Sequence, residues 1–436
     1  MGLGLHGGGV GTVKFLVGRG ARVIVTDLRT RAVLKPSLEQ FKGLSGITYV
    51  LGKHRESDFL KSDLIVKNPG VPPTSPYLAL ARKHKIPVTT DIGIFFRECP
   101  GTIIGITGTR GKSTTAWLIW KFLKTRYTRV FLGGNIRKSV FDFLAQLKSD
   151  DLIVLELSSF QLQDIALDKI SPPIAVVTNI MRDHLNWHAT WQSYIKAKSV
   201  IFAYQGKDEM LFANKSDVIV KKMAAHTRSQ VVFPRLPGNM QMVVDKNLGV
   251  HYRSSVALAI GVCRHLGVSD ASIRSVLKNF HGLPGRQELV ATIKGVRYIN
   301  DTTATIPDAS IAAIKRFRIL AKKARLILIA GGSDKKLIFS EMAEVIGRNV
   351  DCLILLPGTA TERLRAELAK KKKSTSRVSV QEAASMAQAV SMAYALSTKG
   401  DYVLLSPGAA SFGLFVNEFD RGDQFVAAVK NLQNKK

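Results

Sequence analysis

The stretch Thr102-Ile-Ile-Gly-Ile-Thr-Gly-Thr-Arg-Gly-Lys-Ser-Thr114 decides how the rest of the chain is read. A continuous apolar run leads into glycines. Lys112, Ser113 and Thr114 then open a helical segment through Ala116-Trp-Leu-Ile-Trp-Lys-Phe-Leu123. Gly108 and Gly111 carry no Cβ, so backbone N–H groups there can face phosphate oxygens at a helix start. Lys112 can reach terminal phosphates, and a hydroxyl from Ser113 or Thr114 can ligate Mg²⁺. The spacing departs from G-x-x-x-x-G-K-[ST], because Ile106 stands five places before Gly111 and Gly105 one further back. Strand, Gly-x-x-Gly-Lys-Ser and helix still follow in the order of an ATP-binding loop.

Similar apolar runs recur on both sides. They are Arg22–Asp27, Asp63–Val66, Leu152–Leu157, Ile174–Thr178, Leu326–Ala330, Cys352–Leu356 and Tyr402–Ser406. They are continuous rather than alternating, as in strands buried on both faces, and helical stretches separate them. The expected fold class is therefore α/β with mainly parallel sheets. A length of 436 residues suggests about three domains. Turn-forming clusters at Cys99-Pro-Gly101 and Gly282-Leu-Pro-Gly285 place the boundaries, giving domains 1–98, 99–285 and 286–436.

Composition excludes several classes. Hydrophobic residues at 46% and charged residues at 22% argue against disorder. Cys99, Cys263 and Cys352 form no C-x-x-C pair, which argues against a disulfide scaffold or zinc-thiolate site and for a reducing compartment. No apolar stretch is long enough to span a membrane, and Met1–Gly4 does not read as a secretory signal, so a cytoplasmic protein is expected. The net charge of +30 comes from scattered residues and one dense run, Lys370–Lys373, which suits a loop. No aromatic residues interleave with that run, so it reads as a solvated surface, and no nucleic-acid partner is expected.

Gly2-x-Gly4-x-x-Gly7 matches G-x-G-x-x-G, and Asp27 ends the next apolar run, 20 residues after Gly7. The pattern suggests a nucleotide-type pocket. The strand that should precede it is missing, so we expect either an upstream start or an incomplete Rossmann-like domain. Downstream, Glu156 ends a strand and is placed to hold Mg²⁺ beside the phosphate loop; the alternative is a helix cap for Ser158-Ser159. Asp183 and His184 also follow a strand end. His188 shows no ligand spacing. Spacing alone puts Lys198 on a solvated helix face and does not distinguish it from Lys196.

Together these motifs resemble the Mur ligases, the ATP-dependent amide-forming enzymes of peptidoglycan synthesis, and among them the branch that adds D-glutamate. The family's T-G-T-x-G-K-[ST] loop is Thr107–Ser113 here. Gly133-Gly-Asn-Ile136, Leu155-Glu-Leu-Ser-Ser-Phe-Gln-Leu162, Asn179-x-x-x-Asp-His184 and Tyr194-x-x-Ala-Lys198 match further family segments. So do Gly282-Leu-Pro-Gly-Arg286, Asn300-Asp301, Gly331-Gly332 and Leu405–Ser411.

The resemblance implies a Rossmann-like N-terminal domain for UDP-N-acetylmuramoyl-L-alanine, a central P-loop-like ATPase domain and a Rossmann-like C-terminal domain for D-glutamate. It implies that Asp27, Arg29, Asn68 and Gly70 meet the UDP part, with Asn135 and Ser158 also on the substrate. Gly108, Thr109, Gly111, Lys112, Ser113 and Thr114, with Arg286 and Asp301, would bind ATP. Ser113, Glu156, His184 and Lys198 would serve two Mg²⁺ ions, with Lys198 carbamylated. Thr305, Lys335, Ser411 and Phe419 would bind D-glutamate. The implied reaction forms an acyl phosphate on the L-alanyl carboxylate, which the amine of D-glutamate then attacks, in a cytoplasmic monomer. The sequence departs from the family at Arg110, at Tyr252 and Ser255 on the adenine side, at Thr303 where a lysine is usual, and at Glu418, which shifts the aromatic to Phe419. Rival readings are another Mur or folylpolyglutamate-type ligase, an NAD-dependent oxidoreductase, or a nucleic-acid-binding ATPase.

Overall fold

The computed structural model describes residues 1–5, 7–135, 139–181, 183, 185–280, 282–334, 337–371 and 378–433. It divides into two compact units. One holds residues 1–246 and 250–279, the other residues 247–249 and 280–436.

At the start of the chain, β1 (Val23–Asp27) pairs in parallel with β2 (Ile47–Leu51), and β3 (Ile65–Val66) with β4 (Val88–Thr89). Met1–Leu3 run between these two pairs. Gly2 N donates to Thr26 O at 2.8 Å, Met1 N to Val66 O at 2.9 Å, and Asn68 N to Met1 O at 2.9 Å. Met1–Leu3 thus bridge β1 and β3 and lead into the helix Gly8–Gly18. A cavity of about 560 Å³, lined by Val23, Ile24, Leu64 and Ile65 among others, lies beside them. Gly9 has to be glycine, since a Cβ there would stand 2.1 Å from Leu3 O. This is the close helix–strand approach for which such glycines are used.

The central sheet is wholly parallel, in the order β10-β9-β8-β5-β7-β6. Its strands are β5 (Thr102–Thr107), β6 (Val130–Gly134), β7 (Leu152–Glu156), β8 (Ile174–Val177), β9 (Met210–Ala213) and β10 (Gln230–Val232). Ile104, Ile106, Val154, Leu155, Ala175 and Val176 are fully buried. Their continuous apolar runs reflect helices on both faces.

The second unit carries another six-stranded sheet, β11-β12-β16-β13-β14-β15. β11 (Glu288–Ile293) and β12 (Val296–Asn300) form an antiparallel hairpin. β13 (Leu326–Gly331), β14 (Cys352–Leu356), β15 (Ser379–Glu382) and β16 (Tyr402–Leu405) complete it in parallel with β12. The lysine run is not all loop: Lys370 ends the helix Thr359–Lys370, where a cation suits the negative helix terminus. No helix among the described residues is long and apolar enough to cross a membrane.

Candidate active site

β5 lies between β7 and β8, with the later strands added on one side of it and β7 and β6 on the other, so the loop that follows it opens where the strand order reverses, the place at which α/β sheets present ligand sites. The helix Lys112–Leu123 starts there with Gly111 as N-cap and no side chain capping its first amides. A helix start of this kind is where anions bind. Gly108 has φ +146°, and a Cβ on it would stand 1.9 Å from Thr178 Oγ1. The loop is braced from β8: Thr178 Oγ1 donates to Arg110 O at 2.6 Å, and Asn179 Nδ2 to the same oxygen at 2.9 Å. Arg110 N returns a bond to Asn179 Oδ1 at 2.9 Å, so the residue unusual for the family is held by its main chain. Thr109 N donates to Asn179 O at 2.8 Å, and Lys112 Nζ donates to Thr109 O at 3.0 Å. Ser113 is half-buried and Thr114 buried in the first turn. Ser255, where an adenine-side asparagine is usual, is buried against this loop, its Oγ 2.7 Å from where a Cβ on Gly111 would be. Tyr252 N-caps the helix Arg253–His265.

Glu156 ends β7 and is 3% exposed. Its Oε1 accepts from Asn135 Nδ2 at 3.3 Å, while Oε2 is buried without a hydrogen-bond partner. Glu156 does not cap the following helix. Ser158 does, its Oγ accepting from Gln161 N at 3.2 Å and donating to Gln161 Oε1 at 3.0 Å. An orphaned, buried carboxylate oxygen beside a phosphate loop fits a hard divalent cation. His184 lies outside the described residues. Among the described residues no set of three or more His, Cys, Asp or Glu side chains is grouped as a metal site. His188 is a core residue, bonded to Ser159 Oγ at 2.9 Å.

Lys198 corrects the reading from spacing. It is 2% exposed, whereas Lys196 is exposed. Tyr194, Ala197, Lys198 and Ile201 share the inward face of the helix Trp191–Ala203, and this 3–4 periodicity carries Lys198 under the loop. Its Nζ donates to Gly108 O at 2.8 Å. Burial holds the ammonium well below the usual lysine range; Lys112 pushes the same way, and Asp183 and Glu156 oppose it.

In the N-terminal region Asp27 is buried at the end of β1, accepting from Gly4 N at 3.1 Å and Arg29 N at 2.8 Å. The Arg29 guanidinium is 3.9 Å from the same carboxylate. Asn68 folds over Gly70, its Oδ1 accepting from Gly70 N at 3.0 Å, and lies against Gly2 and Gly4. Asp27, Arg29, Asn68 and Gly70 therefore flank one glycine-rich turn. Behind it lies a group that sequence reasoning missed: Lys67 Nζ donates to Asp164 at 2.7 Å, with both side chains buried. Burial, opposed by Lys67, pushes the Asp164 carboxyl up to about 6. A raised carboxyl favours the fold fully below its unfolded value, and that advantage is lost as pH rises through about 6. Asp164→Asn should therefore gain stability relative to the native chain between pH 4 and pH 7, by roughly 1–3 kcal/mol. Urea unfolding at both pH values checks this, and a relative loss over that range contradicts it.

In the second unit the loops after β12, β13 and β16 meet at the carboxyl ends of their strands. Gly408 N donates to Ala304 O at 2.9 Å, and Ser333 pairs with Ala410. Ser411 is buried on the last of these loops and Thr305 half-buried on the first. Asp301 accepts from Ser406 Oγ at 2.8 Å and Gln287 N at 3.2 Å. Burial pushes its carboxyl up to about 7, while these hydrogen bonds and nearby Arg286 oppose the rise. Thr303 Oγ1 donates to Gly285 O at 3.0 Å, so the residue in the usual lysine position ties down the Gly282–Arg286 turn. Phe419 is the second residue of the helix Glu418–Gln433 and is half-buried. Lys335 lies outside the described residues.

Residues 1–90 match the Mur ligase MurD-like N-terminal domain, 106–257 the Mur ligase middle domain, and 285–408 the Mur ligase glutamate ligase domain. A UDP-N-acetylmuramoylalanine–D-glutamate ligase from Roseiflexus sp. (strain RS-1) is 37% identical, covering 99% of this chain and 97% of its own. Proteins of the same name from Borreliella afzelii and Acetivibrio thermocellus are 36% and 32% identical, over 99% and 97% of this chain and 97% and 94% of theirs. The fold is shared with the MurC ligase of Thermotoga maritima, with a TM-score of 0.62 and 16% identity over 100% of this chain and 98% of that one. It is shared also with MurF of Acinetobacter baumannii, at 0.58 and 15% over 85% and 90%. This chain belongs to the Mur ligase family.

Proposed function

We propose that the chain is an ATP-dependent ligase that joins D-glutamate to UDP-N-acetylmuramoyl-L-alanine in peptidoglycan precursor synthesis. The observation that carries the ATP half is the uncapped helix start at Lys112 beside the orphaned Glu156 oxygen. The amino acid is inferred from relatives of that name aligned over nearly the whole chain.

In this reading the main-chain amides at the start of the helix, from Gly111 to Thr114, hold the triphosphate on a loop shaped by Gly108 and Thr109, and Lys112 balances charge as the phosphoryl group moves. The L-alanyl carboxylate takes the γ-phosphate, giving an acyl phosphate and ADP. The amine of D-glutamate attacks its carbonyl, and the tetrahedral adduct expels phosphate to leave the amide. Glu156 and Ser113, with Lys198 as its carbamate and His184, would hold Mg²⁺, which when bound supplies charge neutralisation at the triphosphate. By the family resemblance, Asp27, Arg29, Asn68 and Gly70 would take the UDP end, Asn135 the reacting phosphate, Arg286 and Asp301 the nucleotide, and Thr305, Lys335, Ser411 and Phe419 D-glutamate. Ser158 contributes through its helix cap, since its hydroxyl is already engaged. We place the reaction in the cytoplasm, in keeping with three unpaired cysteines.

The test supplies ATP, Mg²⁺ and UDP-N-acetylmuramoyl-L-alanine with D-glutamate, L-glutamate, L-lysine or meso-diaminopimelate. Phosphate release and product mass are recorded. Release only with D-glutamate, with a product heavier by one glutamyl residue, is expected. Turnover with another of the four overturns the assignment of the amino acid while leaving the ligase class intact.

A further inference from the structure

Among the described residues Arg421 is the largest fully buried side chain, with 0% exposure, in the first turns of the helix Glu418–Gln433. Its guanidinium spans two loops. Nε donates to Thr302 Oγ1 at 3.1 Å and Nη2 to Thr302 O at 2.7 Å, on the loop after β12. Nη1 donates to Ala409 O at 3.0 Å, on the loop after β16. Thr302 Oγ1 in turn donates to Glu418 O at 2.6 Å, and Gly422 sits so close that a Cβ on it would be 2.6 Å from Thr302 Cγ2. The helix start, Thr302 and Ala409 are therefore locked together around one cation.

That cation is not neutralised where it lies. All its hydrogen bonds go to main-chain carbonyls and a hydroxyl, and among the described residues no carboxylate stands within ion-pair distance of it. Asp301 and Glu418 act on it only from further away. Burial of Asp301 weakens its hold on a full negative charge at neutral pH, so it offsets Arg421 only in part. An unpaired buried charge is costly, and a packed apolar side chain would stabilise the helix better. The cost is recovered when an anion arrives nearby, because fields reach further through protein than through water.

We infer that Arg421 is a positioning residue that sets the preference of this site for an acidic amino acid, by fixing the Asp301–Thr305 and Ser406–Ser411 loops around an uncompensated positive charge. The inference rests on the D-glutamate reading and deepens it. Arg421 touches neither substrate. It acts through the main chain of Thr302 and Ala409, whose loops carry Thr305 and Ser411.

The test compares D-glutamate with D-glutamine, nearly isosteric but without the side-chain charge, in the native full-length chain and in Arg421→Lys and Arg421→Met. The native chain should favour D-glutamate in kcat/KM. Arg421→Met should narrow that preference at least tenfold, mainly through KM for D-glutamate, with KM for ATP within twofold. Arg421→Lys, which keeps the charge but not the fork, should retain most of the preference at reduced kcat. If Arg421→Met does not fold, Arg421→Gln replaces it in the same comparison. An unchanged preference in the uncharged variant, or KM for ATP and for D-glutamate rising together, overturns the inference and leaves the ligase reading standing. A native chain that uses no acidic amino acid overturns both.

Discussion

Lys112→Ala should fold like the native chain and lose at least about 1,000-fold in kcat/KM for ATP, equivalent to about 4 kcal/mol. Lys112 is the first residue of the helix Lys112–Leu123, and its ammonium is fixed only 3.0 Å from Thr109 O, inside the loop that the triphosphate would enter. Removing it leaves the uncapped amides and their partial positive charge in place. Residual nucleotide binding is therefore expected, with the loss concentrated in the phosphoryl-transfer step, where negative charge shifts between phosphate oxygens. Lys112 is half-buried and packs in no core, so melting temperature should move by no more than a few degrees. Lys112→Arg should recover little, since the planar fork is longer and cannot replace a compact point charge in a loop braced by Thr178 and Asn179. Steady-state kinetics with varied ATP checks the first claim and calorimetric melting the second. Native-like turnover in Lys112→Ala would move the ATP site away from this loop.

Much of this site was legible in sequence because parallel strands advertise themselves. β5 and β14 were read to the residue, and β7, β8, β13 and β16 to within one, since a strand buried on both faces is a continuous apolar run bounded by turns. Edge elements were not. β10 is three residues long with none fully buried, β15 exposes three of its four side chains, and neither carries such a run; β11 forms its hairpin with β12 through a Lys-Gly turn that has no strong sequence signal. The phosphate loop, Glu156 and the Asp27 turn were recognisable because their chemistry demands particular residues at particular distances along the chain. Lys67, Asp164 and Arg421 were not, because each works through a partner far away in sequence, 97 residues for the first pair and 119 for Arg421 with Thr302. Lys198 lies between these cases. Spacing alone does not separate it from Lys196, although the family segment singles it out, and the seating of the helix on β5 and β8 is what turns it inward.

The second large effect is expected at Lys198. A buried ammonium under a phosphate loop, with Lys112 adding to the repulsion, has its balance shifted toward the neutral amine. A neutral lysine amine adds to CO₂, forming an N–C bond and releasing one proton, and leaves a carbamate with two hard oxygens. As a carbamate the side chain would reverse its sign, from a cation repelled by Lys112 to an anion attracted to it, and would offer hard oxygens for a cation beside Glu156. Lys198→Arg separates this reading from a simple need for positive charge. Arginine keeps the charge and can still donate to Gly108 O, yet its guanidinium has no free amine to react. We expect the variant to fold and to lose at least about 1,000-fold in kcat, the scale seen when a preorganised electrostatic group is removed. The native enzyme assayed in buffer stripped of CO₂ should slow and recover on adding bicarbonate, whereas Lys198→Arg should not respond. Native-like activity in Lys198→Arg would show that Lys198 acts as a cation bracing the loop through Gly108 O.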